Sequence, residues 1–377
     1  MIIKRPASKI QQGNLCLFAT SLRVEDLKVR DFFRIETLDS GLGVGYQRVL
    51  NEARAKRLSE YLLDGHKAKE AFLPTSIFLA TDKLLPFDAV TNTITIDTEK
   101  TGAFNVVDGQ HRIRGLILAS EKDSSMDSFE VPVNIAIDLD EISQMCHFLI
   151  VNTTQKSVDV AVEQQIVARL TDLINFKKMP VLPRWIQRQV DRGDDQRALA
   201  LVQFLNTAGK SPWKGRVLMA NSDDDSGSSS VSQKSFVTSI KKHVLVPSNP
   251  VGGAAWTVER QQKVLLNYWR AIKRPLVDKD DEISVVFRTN GLELFHGASP
   301  AVFLHLANRQ DYKEETIVSL LTHAFDNLPT DFLGMGQPPF WYRGGTASGI
   351  NRAGIRKYAN ALAAAINVPQ DSGDAVF

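Results

Sequence analysis

Apolar positions recur along the chain with two different periods, and the change between them is sharpest at one place. Residues 51–63 read as an amphipathic helix, with Leu58, Leu62 and Leu63 on one side and Arg54, Lys56, Arg57 and Glu60 largely on the other. Gly65 is the expected stop. Residues 73–80 predict a buried strand with Pro74 at its beginning, where a missing N–H is tolerated. Residues 91–97 alternate as a half-exposed strand does. Phe104, Asn105, Val106 and Val107 form another strand, which breaks at Asp108-Gly109. From His111 the period becomes helical, with Ile113, Leu116 and Ile117 sharing a face. Residues 131–137 are a further strand, and residues 145–151 a fourth apolar run that closes at Asn152, Thr153, Thr154, Gln155 and Lys156. The first fifty residues read as irregular.

Beyond about residue 160 helical signals dominate, for example over 162–176 and 260–272. Residues 221–232, with three consecutive aspartates followed by Gly and Ser, bury too little apolar surface to fold alone and are expected to be a mobile loop. Residues 248–255 read as a second connector. The expected fold class is α/β (α+β), divided into a nucleotide-binding domain over 1–160 and a mainly helical region over 161–377.

Composition adds mainly exclusions. The 377-residue chain carries 45 Lys plus Arg against 43 Asp plus Glu, so polyanion binding has to come from a local patch. Two distant cysteines, Cys16 and Cys146, exclude a disulfide framework or a cysteine-based zinc site and point to a reducing cytoplasm. No run approaches the roughly 20 apolar residues of a membrane span, and the start lacks the apolar run of a signal peptide. The histidines show no zinc-ligand spacing; His296 and His305 read as surface or satisfied core residues. Neither a Gly-x-Ser-x-Gly elbow nor a Walker A run occurs, which excludes a serine hydrolase of that type and an ordinary P-loop NTPase.

The strand-turn-helix at 104–118 carries the most specific chemistry. Gly109 lets the backbone approach a ligand, and the helix start offers free N–H groups that suit phosphate. Arg112 adds a forked cation and His111 a donor of tunable charge. Asp108 has three possible roles beside a triphosphate: to hold a metal ion, to cap the helix, or to point away. Asp-Gly before an amphipathic helix is also an ordinary N-cap, and the two readings stay open on residue chemistry alone.

Asp108-Gly109-Gln110-His111-Arg112, with Gly115-Leu116 behind it, resembles the motif that names the DGQHR-domain family, which includes DndB- and DpdB-type DNA modification proteins. Residues 54–63 with 72–77 are similar to its early helix and strand, and residues 148–156 to its second signature. Residues 211–216 (Ser-Pro-Trp-Lys-Gly-Arg) and 287–291 (Phe-Arg-Thr-Asn-Gly) resemble its later landmarks. The resemblance implies a fold related to the ParB and sulfiredoxin nucleotide-binding superfamily, with Gly109, Gln110, His111 and Arg112 at the phosphates of ATP. It implies that Asn152, Thr153, Thr154, Gln155 and Lys156 complete the phosphate and Mg2+ shell; alone, they read as a polar turn capping the helix at 160–170. Gln47 and Arg48 are further candidates for the lining. Asp108, His111 and Arg112 are the candidate catalytic residues, Asp108 also as a Mg2+ ligand. The chain lacks the Gly-Glu-Arg-Arg wording and the helix-turn-helix of ParB clamps, which puts CTP specificity and clamping in doubt.

The activity implied is that of an ATPase accessory to bacterial DNA modification, with 7-deazaguanine insertion first. A DNA-binding regulator of a phosphorothioation gene cluster is the alternative, and a nucleotide-gated scaffold a third reading. Implied partners are DNA and a companion enzyme, transglycosylase-like or linked to a cysteine desulfurase; self-association stays open. For DNA contact, Arg184, Arg188 and Arg192 recur every four residues around Trp185, although Asp191, Asp194 and Asp195 dilute the patch. Arg352 and Arg356 follow the aromatic and glycine-rich run 341–349, which reads equally as a loop before a capped helix.

Overall fold

A computed structural model describes residues 1–155, 159–173, 182–222, 230–277 and 284–368, without the side chains of residues 154 and 155. The chain forms two units: Met1–Ile166 with Leu173–Gln187, and Val167–Asp172 with Arg188–Phe377. Each unit has its own buried apolar cluster. The mixed α+β class expected from the two periods is the class observed.

In unit 1 the strands are β1 (Ile2–Gln12), β2 (Leu15–Arg23), β3 (Phe33–Arg34), β4 (Ile77–Ala80), β5 (Phe87–Asp88), β6 (Thr93–Asp97), β7 (Phe104–Asp108) and β8 (Glu130–Ala136). They form one mixed sheet in the order β3-β7-β4-β8-β2-β1-β6-β5. The first residues are therefore not irregular. Residues 2–6 of β1 pair with β6, and residues 7–12 pair antiparallel with β2. Their strand pattern is hard to read because only Ile3 and Ala7 of β1 are buried, so the alternation that marks a half-buried strand is nearly absent.

The helices of unit 1 are α1 (Val24–Leu27), α2 (Glu52–Ala68), α3 (Thr98–Thr101), α4 (Gln110–Lys122) and α5 (Glu141–Gln155); α6 (Val160–Asp172) and α7 (Arg184–Arg192) contribute residues to both units. Asn51 caps α2, its side chain accepting from Arg54 N–H at 2.9 Å. Gly65 does not stop this helix. It lies where the chain doubles back, 2.9 Å from its would-be Cβ to the Cα of Ala71, and the stop is Lys69 in the left-handed region. The strand expected over 73–80 is confined to Ile77–Ala80. The apolar run at 145–151 is helical, and residues 152–155 form the last turn of that helix rather than a capping turn before the next. A short apolar run fits a buried strand and a buried helix equally, and packing decides between them.

Unit 2 is mainly helical: α8 (Asp194–Thr207), α9 (Gln233–His243), α10 (Val258–Leu276), α11 (Thr289–Arg309), α12 (Glu314–Asp326) and α13 (Arg352–Ile366), with the two-residue strands β9 (Val217–Leu218) and β10 (Val231–Ser232). Its core is aromatic. Trp213 meets Phe236, Trp269 and Phe287 edge-on, with ring centroids 4.7 to 5.3 Å apart. Of the loop expected over 221–232, residues 223–229 lie outside the described residues, as do residues 174–176 of the helix expected over 162–176. No helix among the described residues is long and apolar enough to cross a membrane.

Candidate functional site

β7 lies between β3 and β4 in the sheet, and its first four residues are buried. At its end the pairing with β4 slips, with Phe78 opposite Asp108 but Leu79 opposite Val106. The extra residue on β7 is a bulge that re-aims the strand where the motif begins. Gly109 follows at φ 111°, a left-handed conformation, and acts as the N-cap of α4. A Cβ there would stand 3.2 Å from Ile77 Cγ2 and 3.3 Å from Arg112 Nε, because the Arg112 side chain folds back across the glycine.

Asp108 does not cap α4, whose N-cap makes no side-chain bond. Its Oδ2 accepts from Arg112 Nη2 at 2.5 Å, an ion pair closed over one helical turn. Arg112 Nε is buried with no hydrogen-bond partner among the described residues, as is Gln110 Oε1. Gln110 Nε2 donates to the carbonyl of Arg48 at 3.1 Å, which ties the motif to the segment before α2. That segment is itself fixed: Leu38 N–H donates to Gln47 O, and both Tyr46 and Gln47 N–H donate to Glu36 O. Gln47 is buried, and Tyr46 packs its ring 5.4 Å from that of Phe148 on α5.

His111 Nε2 accepts from Asn51 N–H at 3.0 Å, which places the imidazole proton on Nδ1. Burial, then the charges of Arg54 and Arg48 and, more weakly, Arg112, hold its pKa below the ordinary histidine value, against an opposing pull from Asp108. The imidazole is thus neutral at neutral pH and surrounded by three guanidinium groups. Arg48 and Arg54 have no ion-pair partner among the described residues. The first turn of α4 contains no acidic side chain. Gly115 brings α2 and its Arg54 close to α4, since a Cβ there would stand 3.0 to 3.1 Å from Leu58 and Ala55 O. The Arg114–Glu52 ion pair, at 3.3 Å, joins the same two helices.

The sequence-predicted site residues are therefore brought together in part. Gln47, Arg48, Asp108, Gly109, Gln110, His111 and Arg112 converge, and Arg54 joins them. Sequence reasoning placed Arg54 on the outer face of a helix; its meaning depends on where the N-cap of α2 lands, on the histidine of the motif. Asn152 and Thr153 bond back to their own helix, at Phe148 O and Leu149 O, and no hydrogen bond among the described residues joins them to the motif. The side chains of Thr154 and Gln155, and all of Lys156, lie outside the described residues. No group of three or more His, Cys, Asp or Glu side chains among the described residues is arranged to hold a metal by itself. A Mg2+ held by one carboxylate plus phosphate oxygens needs no such group. Arg184, Arg188 and Arg192 are exposed on α7, whose Ile186 and Val190 are buried. Arg352 and Arg356 are exposed on α13, which Asn351 caps through Gly354 N–H.

No curated protein and no solved structure shows a match to this chain. The motif and the last turn of α5 both fall within the stretch that a family model recognises: residues 5–165 match the DndB family, DNA-sulfur modification-associated.

Proposed function

We propose that unit 1 binds the phosphates of ATP at the start of α4, through a ParB-like turn, and hydrolyses it in the service of DNA phosphorothioation. The supporting observation is the gathering of Arg48, Arg54 and Arg112 around a neutral His111, with Asp108 paired to Arg112 beside them, at a helix whose first turn has no acidic side chain. Sulfur modification in the family description favours phosphorothioation over 7-deazaguanine insertion as the pathway.

The residues divide the work as follows. His111 Nδ1–H donates to a phosphate oxygen, and Arg48 and Arg54 neutralise charge from the α2 side. Arg112 exchanges Asp108 for phosphate. The Arg112–Asp108 pair is half-buried and its 2.5 Å bond is itself charge-assisted, so phosphate competes for Arg112 through the added charge of Arg48 and Arg54 rather than through a stronger single bond. Asp108, released, is then the carboxylate that would hold Mg2+, which supplies charge neutralisation between phosphates. Purified protein with Mg2+ is expected to bind ATP in calorimetry and to release phosphate, and Arg112→Ala to abolish release. Wild-type turnover in that variant removes the motif from the chemistry.

A second reading, a DNA-binding regulator of the modification genes, is favoured by the three exposed arginines on α7. Promoter DNA is then expected to bind far more tightly than random DNA at physiological salt; equal binding excludes it.

A further inference from the structure

Unit 2 holds a second place where guanidinium groups meet a helix start. A cavity of about 520 Å³ is lined by Arg288, Thr289 and Asn290 at the start of α11, by Arg343 and Ser348 ahead of α13, and by Ser230. Two sequence runs about fifty residues apart, Phe287-Arg288-Thr289-Asn290-Gly291 and the glycine-rich 341–349, thus form one wall each. Both walls are tied in place. Asn290 Nδ2 donates to Ala347 O at 3.0 Å and to Ile350 O at 3.2 Å. Val285 N–H donates to Trp341 O at 2.6 Å, and Ser284 bridges Tyr342. Ser230 Oγ donates to Phe287 O at 2.5 Å. The glycines are required for this closure: a Cβ on Gly291 would stand 2.0 Å from Val286 O, and one on Gly345 2.5 Å from Pro339 O.

The described lining of the cavity is cationic and neutral-polar: among the described residues no carboxylate lines it, and neither Arg288 nor Arg343 has an ion-pair partner. The first turn of α11 has no acidic residue and no side-chain cap. Two forked cations, the lining hydroxyl of Thr289 and a helix start fit the several oxygens of a phosphate better than the two of a carboxylate. The volume lies within the range of about 300–1,000 Å³ typical of small-ligand sites, enough for a nucleotide.

We infer that this cavity is a phosphate-binding site, taking the phosphomonoester of a mononucleotide or of a DNA strand end. It is separate from the α4 turn and stands whether or not that turn binds ATP.

The test uses the full chain carrying Arg112→Ala, so that binding at the α4 turn is weakened, and three probes: dAMP, a 5′-phosphorylated oligonucleotide and the same oligonucleotide with a 5′-hydroxyl. Binding of a phosphomonoester probe is expected to weaken at least tenfold on Arg288→Gln or Arg343→Gln, and to be unchanged on Lys263→Gln, an exposed cation of α10 outside the cavity. Both arginines are exposed, and near-ultraviolet circular dichroism of the buried tryptophans checks that the variants fold. Binding of dAMP identifies a free nucleotide as the source. Binding of the 5′-phosphorylated strand alone identifies a DNA end. Undiminished binding in both arginine variants, an equal loss in Lys263→Gln, equal affinity for the hydroxyl and phosphate ends without dAMP binding, or no binding by the parent overturns the inference.

Discussion

The start of α4 in unit 1 and the start of α11 in unit 2 use the same parts in opposite arrangements. Both lack an acidic first turn and both gather arginines. At α4, however, Arg112 is already held by Asp108, whereas among the described residues no carboxylate lines the cavity at α11. A self-paired arginine makes phosphate binding an exchange, in which a displaced carboxylate remains beside the ligand and favours a divalent cation. Arginines without a carboxylate partner among the described residues need no such exchange. If both places bind phosphate as proposed, binding is expected to depend on a metal ion at the first and not at the second.

Glycine geometry breaks the comparison most strongly. Gly291→Ala forces a Cβ to within 2.0 Å of Val286 O and is expected to cost unit 2 about 3 kcal/mol or more, as severe overpacking does. Gly115→Ala meets only contacts of 3.0 to 3.1 Å, partly with the flexible Leu58 side chain, and alanine regains about 1 kcal/mol of helix propensity. Its net effect is expected to be within about 1 kcal/mol of zero. Urea unfolding followed by tryptophan fluorescence checks the first directly, since four of the five tryptophans lie in unit 2. A Gly291→Ala loss below 1 kcal/mol would contradict the close approach.

Next in size, Arg112→Ala is expected to weaken Mg·ATP binding about 10- to 100-fold, the range of a lost charge-assisted interaction. Arg54→Gln, changing an exposed cation, is expected to weaken it only a few-fold. A larger loss at Arg54 than at Arg112 would move the centre of the site to α2. Asp108→Asn sharpens the exchange itself. Without metal, the variant is expected to bind triphosphate several-fold more tightly than wild type, because Arg112 is no longer held by a charged partner. With Mg2+ the advantage is expected to vanish. Calorimetry with and without a chelator shows whether the sign changes, and an unchanged metal dependence would remove Asp108 as a ligand.

The smallest effect concerns the titration of unit 2. Burial, reinforced by His243 and opposed by Glu293, lowers the His296 pKa to about 3; its Nδ1 stands 2.9 Å from Ser239 Oγ. The unfolded chain binds a proton near the ordinary value of about 6.5. The resulting stability is complete above that pH and is lost as the pH falls toward the folded value. From pH 7 to 5.5 this loss is about 1 kcal/mol. Glu293 works in a lower window: burial alone would raise its pKa, but hydrogen bonds with His243, Ser239 and Lys242 bring it to about 2, so its contribution disappears only below the ordinary carboxylate range. The urea midpoint of His296→Gln is expected to vary less between pH 7 and 5.5 than that of wild type. An equal slope assigns the acid sensitivity elsewhere.

Legibility followed locality. The β7–α4 junction was readable because the period changes within a few residues and Gly109 marks the turn. β1 was not, since its partners are β2 and β6 and only two of its residues face a core. The helical run at 145–151 was ambiguous for a different reason, being too short for either period to register. Within the site, Gly109, His111 and Arg112 were singled out by their types. The ion pair that occupies Arg112 was not expected, although Asp108 and Arg112 are one helical turn apart, because an Asp before a glycine reads first as a cap.

The sequence by itself determined the α+β class, the position of the strand-to-helix turn and the identity of its cations, because period, glycine and charge are properties of neighbouring residues. Only the tertiary structure decided which cations are free to meet a ligand. That depends on which carboxylate closes on which guanidinium, and on whether loops more than fifty residues apart meet at one helix start. Asn51 reaching His111, and Asn290 holding the turn before α13, are contacts that no local pattern encodes.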